Sequence, residues 1–335
     1  MSPVDRLAAC VRGFAGRRVV VLGDFVVDEF LHGDIARVSR EAPVLVLEHT
    51  HTDAALGGGG NSVANLHALG ARPVPVGVVG DDAAGRVLVH ELARRRIDTS
   101  HLLVVPGYAT PCKTRVLAGG VHTRRQQIVR IDRGSAHGTL GHAIERRLRS
   151  KLRVALRGAE GLLVADYGYG AASPGLVDGV ARSRNGPRVV TVDSRARVGR
   201  YRGITACTPN QEEVENALGR GALDDAAVVH AGRELRRKTA ARAVLVTRGA
   251  RGMVLVERGR RPLVIPAYGS GEVADVTGAG DTVIAAFTVA CIAGATLAEA
   301  ARLANYAAGL VVAKAGTATT TREEILAAVR EDLAP

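Results

Sequence analysis

The chain has 335 residues, of which 47% are hydrophobic and 3% aromatic. That length suits one large α/β domain, alone or with a small appendage, and the apolar content excludes a disordered chain. A formal net charge of +12 raises the question of a nucleic-acid partner, because basic faces attract phosphate backbones. Against it, only four of the 45 basic residues are lysines, the arginines are dispersed among acids, as in Glu145-Arg146-Arg147, and no basic tract is interleaved with aromatics. No nucleic-acid partner is expected, and a basic surface equally suits anionic small molecules. Cys10, Cys112, Cys207 and Cys291 are isolated and lack metal-ligand spacing, and residues 1–16 carry no cationic-plus-apolar leader. A reduced, cytoplasmic protein is expected. The weakly polar run at 283–298 is too short and too mild to span a bilayer; it suits a buried helix, and no membrane partner is expected.

In chain order, residues 18–25 are a β-branched run ending in Gly23-Asp24, an inner parallel strand with a functional carboxyl end. Residues 31–50 alternate and contain Pro43 and acids, which predicts short exposed strands. Residues 57–70 are glycine-rich, then helical. A strand at 74–79 and a helix at 82–95 follow, then a second exposed pair at 112–119 and 127–132. From there the rhythm is helix 139–157, strand 161–166, helix 174–184, strands 188–193 and 204–208, helices 211–218 and 224–238, and strand 243–247. A hairpin at 253–265 precedes helices at 279–293, 297–313 and 322–332. Alternating strands and helices predict a doubly wound, mostly parallel sheet flanked by helices. The exposed pairs, at about 30–50 and 112–132, predict a small β-lid on a single domain covering 1–335. Ligands of such a sheet lie at the carboxyl ends of its strands.

Two nucleotide motifs are excluded. Gly80-Asp-Asp-Ala-Ala-Gly85-Arg86 lacks the lysine and hydroxyl of a P-loop, and Gly23-Asp24-Phe25 is no dinucleotide fingerprint. Thr277-Gly278-Ala279-Gly280-Asp281 is more informative. Small residues at a helix start leave N–H groups uncovered, and with the helix dipole these form an anion site. A transferring phosphoryl group develops charge there, and Asp281 on the first turn could accept a proton from an attacking hydroxyl. The alternative is an aspartate that only complements the dipole beside packing glycines. Gly57-Gly-Gly-Gly60-Asn61 also opens a helix: it lets a polyhydroxylated ligand lie against backbone, or it is a flexible loop with an Asn cap. Asp28 is an acceptor suited to sugar hydroxyls, or a solvated loop acid.

At these residues the chain resembles the ribokinase-like PfkB carbohydrate kinases along nearly its whole length. Gly57, Gly58 and Asn61 match the early sugar-binding signature, and Asp275-Val-Thr-Gly-Ala-Gly-Asp281 matches the late D-T-x-G-A-G-D signature nearly letter for letter. Thr208-Pro-Asn210-Gln-Glu-Glu213 matches N-x-x-E, and Thr247-Arg248-Gly249 with Gly252 matches the turn beside the nucleotide. The resemblance implies a ribokinase-like fold and phosphorylation of a sugar hydroxyl by ATP and Mg²⁺. It implies Asp281 as general base, and Gly278, Ala279 and Gly280 as the anion hole. Asn210 and Glu213 would serve the Mg²⁺–phosphate network, and Thr247, Gly249, Gly252 and Asn305 the nucleotide. Asp275, Thr277, Gly316 and Thr319 occupy the stretch where many members bind a monovalent cation such as K⁺.

Ser39-Arg-Glu-Ala-Pro-Val44, Lys113-Thr-Arg115-Val116, Gln126-Gln-Ile-Val-Arg130-Ile-Asp132, Ala165-Asp166-Tyr167 and Ala206-Cys-Thr-Pro-Asn210 look like the kinases of D-glycero-β-D-manno-heptose 7-phosphate. Those enzymes phosphorylate the anomeric hydroxyl to give the 1,7-bisphosphate, on the way to nucleotide-activated heptose. The resemblance adds Asp28 and Asp166 to the substrate-binding set. Lys113, Arg115 and Arg130 are cations that could meet a distal phosphate, or ordinary solvent-facing sheet residues. Two departures stand out: Tyr169 replaces the lysine of D-Y-x-K-G, and the lid hairpin carries extra residues at 119–125. Fructose phosphate or another phosphosugar is the competing acceptor, and a non-catalytic sugar- or nucleotide-binding regulator is the reading from another class. With no nucleotidyltransferase region before residue 335, activation of the product is expected from another protein. Lid strands with exposed edges want cover, so a homodimer through the lid is expected.

Overall fold

The computed structural model describes residues 2–119, 126–134, 140–181, 186–269 and 274–333. Positions 120–125 of the lid insertion, the start of the helix predicted at 139 and the end of the one predicted at 184 fall outside these. The strands are β1 Arg18–Gly23, β2 Phe25–Val38, β3 Leu45–Gly58, β4 Arg72–Gly80, β5 Leu102–Val105, β6 Cys112–Gly119, β7 Gln126–Arg133, β8 Gly161–Asp166, β9 Val189–Ser194, β10 Ala206–Cys207, β11 Ala243–Thr247, β12 Met253–Glu257 and β13 Leu263–Ile265.

Nine of them form one sheet in the order β13-β12-β11-β10-β9-β8-β1-β4-β5. Its pairs are parallel from β5 through β11, and β12 and β13 add an antiparallel edge. Consecutive side chains of β1 point to opposite faces, as the period of two requires. Val19 and Val21 join the core under helices Pro3–Arg12, Gly59–Ala68, Ala279–Ile292 and Leu297–Val312. Val20 and Leu22 join the core under helices His142–Ala155, Gln211–Leu218 and Asp225–Thr239. Both faces are covered, which is why β1 reads as an unbroken apolar run.

From β1 the chain crosses one way to β4, and the later strands β8 to β11 build out the other way. The order therefore reverses between β1 and β8, and an open α/β sheet binds its ligands in the crevice beyond such a point. Asp24 and Asp166 stand at those two strand ends.

The second sheet is the lid, in the order β3-β2-β6-β7. The short strands expected over 31–50 are in fact parts of two fourteen-residue strands, β2 and β3, paired antiparallel from Phe25↔Gly58 to Val38↔Leu45. Register shifts at His32/Gly33 and Ile35/Arg37 absorb the irregular pattern, and Pro43 falls in the turn. β5 was not anticipated; it is a short edge strand against β4. The strand expected at 204–208 shrinks to Ala206–Cys207. Among the described residues no helix is long and apolar enough to cross a membrane.

Candidate active site

Helix Ala279–Ile292 runs through the core with Asp281 to Ala290 all buried. Gly278 precedes it at φ 79°, and no side chain caps the first turn, so its N–H groups are open toward the cleft. One of the three expected anion-hole donors is already used: the Ala279 N–H donates to the Val276 carbonyl at 3.3 Å. Gly278 is compulsory for a second reason. A Cβ there would lie 2.4 Å from Asn61 Nδ2, and Asn61 is needed where it is.

Asn61 Nδ2 donates to Asp281 Oδ2 at 2.9 Å. Asn65 Nδ2 donates to Asn61 Oδ1, which fixes which end of the Asn61 amide faces the acid. Tyr167 Oη donates to Asp281 Oδ1 at 2.7 Å, and Ser62 Oγ at 3.3 Å. A carboxylate offers about four acceptor sites; three are taken, and the remaining one lies on Oδ2. Asp281 is 4% exposed. Burial pushes its carboxyl up to about 6, while the bonds from Tyr167 and Asn61 hold it down.

The loop that carries Tyr167 hangs on Asp24. That buried carboxylate accepts the backbone N–H groups of Tyr167, Tyr169 and Ala171 at 2.8–3.0 Å. Burial nevertheless raises Asp24 to about 6. Gly58, at φ 55°, would bring a Cβ to 2.7 Å from the Asp24 carbonyl and 3.4 Å from the Tyr167 ring. A Cβ at Gly57 would collide with Asp28. These glycines are set by close approach of backbone and acids, as β3 ends and helix Gly59–Ala68 begins.

Beside Asp281 opens a cleft of about 500 Å³ lined by Asp193, Arg195, Thr208, Asn210, Glu213, Thr247, Gly278 and Gly280, among others. Asn210 and Glu213 form a reciprocal capping box at the start of helix Gln211–Leu218. Asp193 lies well above the usual carboxylate range because it is partly buried and faces Glu213 and Asp281; Glu213 is raised by burial too. Two half-buried acids that face one another suit a divalent cation, whose charge would relieve both. Thr247 ends β11, and Gly249 and Gly252 take positive φ in the turn after it. Asn305, on helix Leu297–Val312, is buried and donates to the Pro266 carbonyl.

The sugar-side residues divide. Asp28 is buried and ion-paired with Arg115, whose guanidinium also lies over Phe30. Lys113 is buried and bonds Asp132 at 3.3 Å, and Asp132 also takes Arg130. Burial lowers Lys113, with the nearby Arg195 adding to it. Asp166 does not face the cleft. It is 2% exposed, and Arg197, Ser194, Tyr201 and the Gly168 N–H all donate to it. Its place is that of a hub tying β8 to β9, not a free acceptor for a sugar.

The stretch expected to hold a monovalent cation is already bonded. Asp275 accepts the N–H groups of Thr277 at 2.8 Å and Gly316 at 3.2 Å, and the Thr319 carbonyl takes the Lys314 ammonium at 2.9 Å. These bonds order the loop and leave about two of the four acceptor sites of Asp275 open for a cation. On the lid, Asp53 lies 3.3 Å from His32 Nε2 and 3.4 Å from His51 Nε2, but the two rings stack with only 8° between their planes. Their ring lone pairs lie in separate, nearly parallel planes and so do not meet at one ion.

The family profile described as pfkB family carbohydrate kinase matches residues 18–152 and 176–324. The chain belongs to the pfkB family. The carbohydrate kinases of this family are phosphotransferases that act on a sugar hydroxyl. The chain is 40% identical over 336 residues to the Bifunctional protein HldE of Paramagnetospirillum magneticum, covering 99% of this chain and 67% of that one. It is 39% identical to the Caulobacter vibrioides protein of the same name, covering 96% and 65%. This pfkB chain thus spans about two thirds of the length of these relatives. Its fold is that of ribokinase from Arabidopsis thaliana, solved with ribose and ATP (TM-score 0.72, 21% identity, 94% of this chain and 99% of that one). Phosphofructokinase-2 from Escherichia coli, solved with substrates and products, gives TM-score 0.75 at 18% identity with the same coverage.

Sequence reasoning missed Asp24, Ser62, Tyr167 as a partner of Asp281, Asp193 and Arg195. The available signal was position: Asp24 follows the carboxyl end of β1, and Asp193 and Arg195 lie at and just past that of β9. Replacing Asp166 by alanine is expected to cost about 3–5 kcal/mol in urea unfolding without any ligand, because the half-buried Arg197 loses its partner. A residue that only touches substrate would leave that transition in place.

Proposed function

We propose that this chain is an ATP-dependent kinase of a phosphosugar, transferring the γ-phosphoryl group to the anomeric hydroxyl of D-glycero-D-manno-heptose 7-phosphate to give the 1,7-bisphosphate. The observation that carries the kinase reading is Asp281, a buried carboxylate with one acceptor site left, at the open first turn of a helix facing a polar cleft. The heptose reading is supported by the lid and strand-end sequences and by the HldE relatives. The reading takes the described residues as one kinase domain with its lid.

In this mechanism Asp281 accepts the proton of the attacking hydroxyl on its free Oδ2 site. Tyr167, raised well above ordinary phenols by burial and by Asp281, stays protonated and remains a donor. The N–H groups of Gly278 and Gly280 face the phosphoryl oxygens. Asp193, Glu213 and Asn210 would hold Mg²⁺ directly or through water; the ion, when bound, neutralises charge on the phosphates. Thr247, Gly249, Gly252 and Asn305 serve the nucleotide. Asp28, Gly57, Gly58 and Asn61 meet the sugar. Lys113, Arg115 and Arg130 meet its phosphate by exchanging their present carboxylate partners. No step runs through a monovalent cation.

Valines and a leucine at the lid tip are exposed, Val38 at 59%, Val44 at 56% and Leu45 at 43%, as are Ile128, Val129 and Ile131 on β7. We read these as covered in a homodimer. Light scattering is expected to give twice the chain mass, and Val38→Asp with Val44→Asp to give the monomer.

The kinase is tested by ATP turnover over sugar 7-, 6- and 1-phosphates, with the heptose 7-phosphate expected to give the highest kcat/KM. A preference for fructose 6-phosphate would change the acceptor and keep the kinase. Asp281→Asn is expected to lower kcat by about 100- to 10,000-fold; survival within about tenfold would remove it as the base. Because the carboxyl is raised to about 6, it is protonated as pH falls through that value. The rate should then fall about tenfold per unit below pH 6. Tyr167→Phe removes a donor to the ionised form, so that limb should move to higher pH.

A further inference from the structure

We infer that Arg195 is a catalytic residue of this kinase, an arginine supplied from the same chain that contacts the phosphoryl group in transit. The inference rests on the kinase reading above.

Arg195 stands just past β9, two residues after Asp193, where neither a motif nor the resemblance placed a function. Its backbone is fixed from both sides. Its N–H donates to the Asp166 carbonyl at 3.1 Å, while Ser194 Oγ donates to the Asp166 carboxylate and accepts the Arg197 N–H. The side chain leaves this anchor for the cleft, with its guanidinium carbon 4.5 Å from the centroid of the Tyr167 ring. Tyr167 is the residue that donates to Asp281. One aromatic side chain therefore orients the base through its hydroxyl and carries the guanidinium on its face.

Among the described residues, every other cation drawn into this region is neutralised by a carboxylate. Arg115 pairs with Asp28, Lys113 and Arg130 with Asp132, and Arg197 with Asp166. Arg195 is exposed to the cleft and makes no ion pair with any described residue, although Asp193, Glu213 and Asp281 line the same space. Its charge acts on groups at both ends. It opposes the charge of Lys113 on the lid side, and favours the ionised forms of Asp193 and Glu213 on the other side and of Asp281 between. A cation at the junction of sugar and nucleotide sides, next to the base and held on a rigid ring, is placed for the group that crosses between them. A guanidinium offers a planar fork of donors to phosphoryl oxygens, and an arginine in this role typically supplies about 10³- to 10⁵-fold in rate.

The test separates this role from two others. Arg195→Gln should lower kcat by about 10³-fold with KM for ATP and for the phosphosugar changed less than about threefold. Guanidinium ion should restore part of that rate to Arg195→Gln, and Arg195→Lys should fall between, because an ammonium lacks the fork and the stack. Tyr167→Leu, which removes the ring, should lose more than Tyr167→Phe, which keeps it. A nucleotide titration needs no acceptor sugar. The imido analogue of ATP and ADP should each bind Arg195→Gln within about threefold of wild type, because the contact is made to the group in transit. A kcat within fivefold of wild type overturns the role. So does a loss confined to KM for the phosphosugar, which would make Arg195 an anchor for the substrate phosphate, or an equal loss of ADP and of the analogue. Wild-type protein that binds neither nucleotide overturns the kinase reading itself, and this role with it.

Discussion

Asp281 is a carboxylate taken out of water, and most of the surrounding architecture follows from keeping it usable. An uncompensated buried carboxyl simply keeps its proton. Tyr167 and Asn61 supply donors that hold it near 6 rather than far above, and Ser62 adds a third, longer bond. Each donor then imposes a condition on its neighbourhood. Asn61 requires that residue 278 have no side chain. Tyr167 requires a loop pinned by three N–H groups to Asp24, and a glycine at 58 so that β3 can pass. The glycines and the acids of this site are two sides of one packing problem.

A second condition is electrostatic. Asp193, Glu213 and Asp281 line one cleft with few counter-charges, and Glu213 and Asp281 make the ionisation of Asp193 harder. A structure that only had to be stable would place apolar groups there. Retaining three acids makes sense where positive charge arrives with the ligand. Glu213 shows how the fold tolerates the arrangement in the meantime, because its carboxylate also caps a helix through the Asn210 N–H.

Much of this was legible in the sequence, and what was not has a physical pattern. The doubly wound sheet could be read because β1, β8 and β9 are unbroken apolar runs, and the lid because its strands alternate. The length of β2 and β3 was obscured: bulges at His32/Gly33 and Ile35/Arg37 break the period of two without ending the pairing. β5 is four residues long and lies at an edge, too short to show a period. In the site, glycine turns and the N-x-x-E spacing are local in the chain and so are visible. The Tyr167–Asp281 bond joins residues 114 apart, and the Asp166 hub gathers Arg197 and Tyr201 from beyond β9. Such partners are fixed by the strand order, which a linear pattern does not display. That is also why Asp166 could be mistaken for a free acceptor: a strand-end acid looks the same whether it faces the cleft or an arginine behind it.

The replacement of a lysine by Tyr169 bears on how charge is distributed over the side of the cleft beneath the lid. The phenol is raised by burial first and then by Asp132, so it stays neutral, and it lies within the fields of Arg195 and Arg130. The position has lost a cation while two arginines act on it from neighbouring elements. Both differ from a lysine in kind. Arg130 reaches in from β7 while shared with Asp132, and Arg195 stands on the Tyr167 ring with no described acid paired to it. A flexible ammonium at 169 would repel Arg195 and compete for the same phosphate oxygens. A neutral phenol leaves them to a planar group whose direction is already set. Tyr169 therefore does not strip the cleft of charge; it leaves the positive charge with the rigid guanidinium stacked on the ring that orients the base.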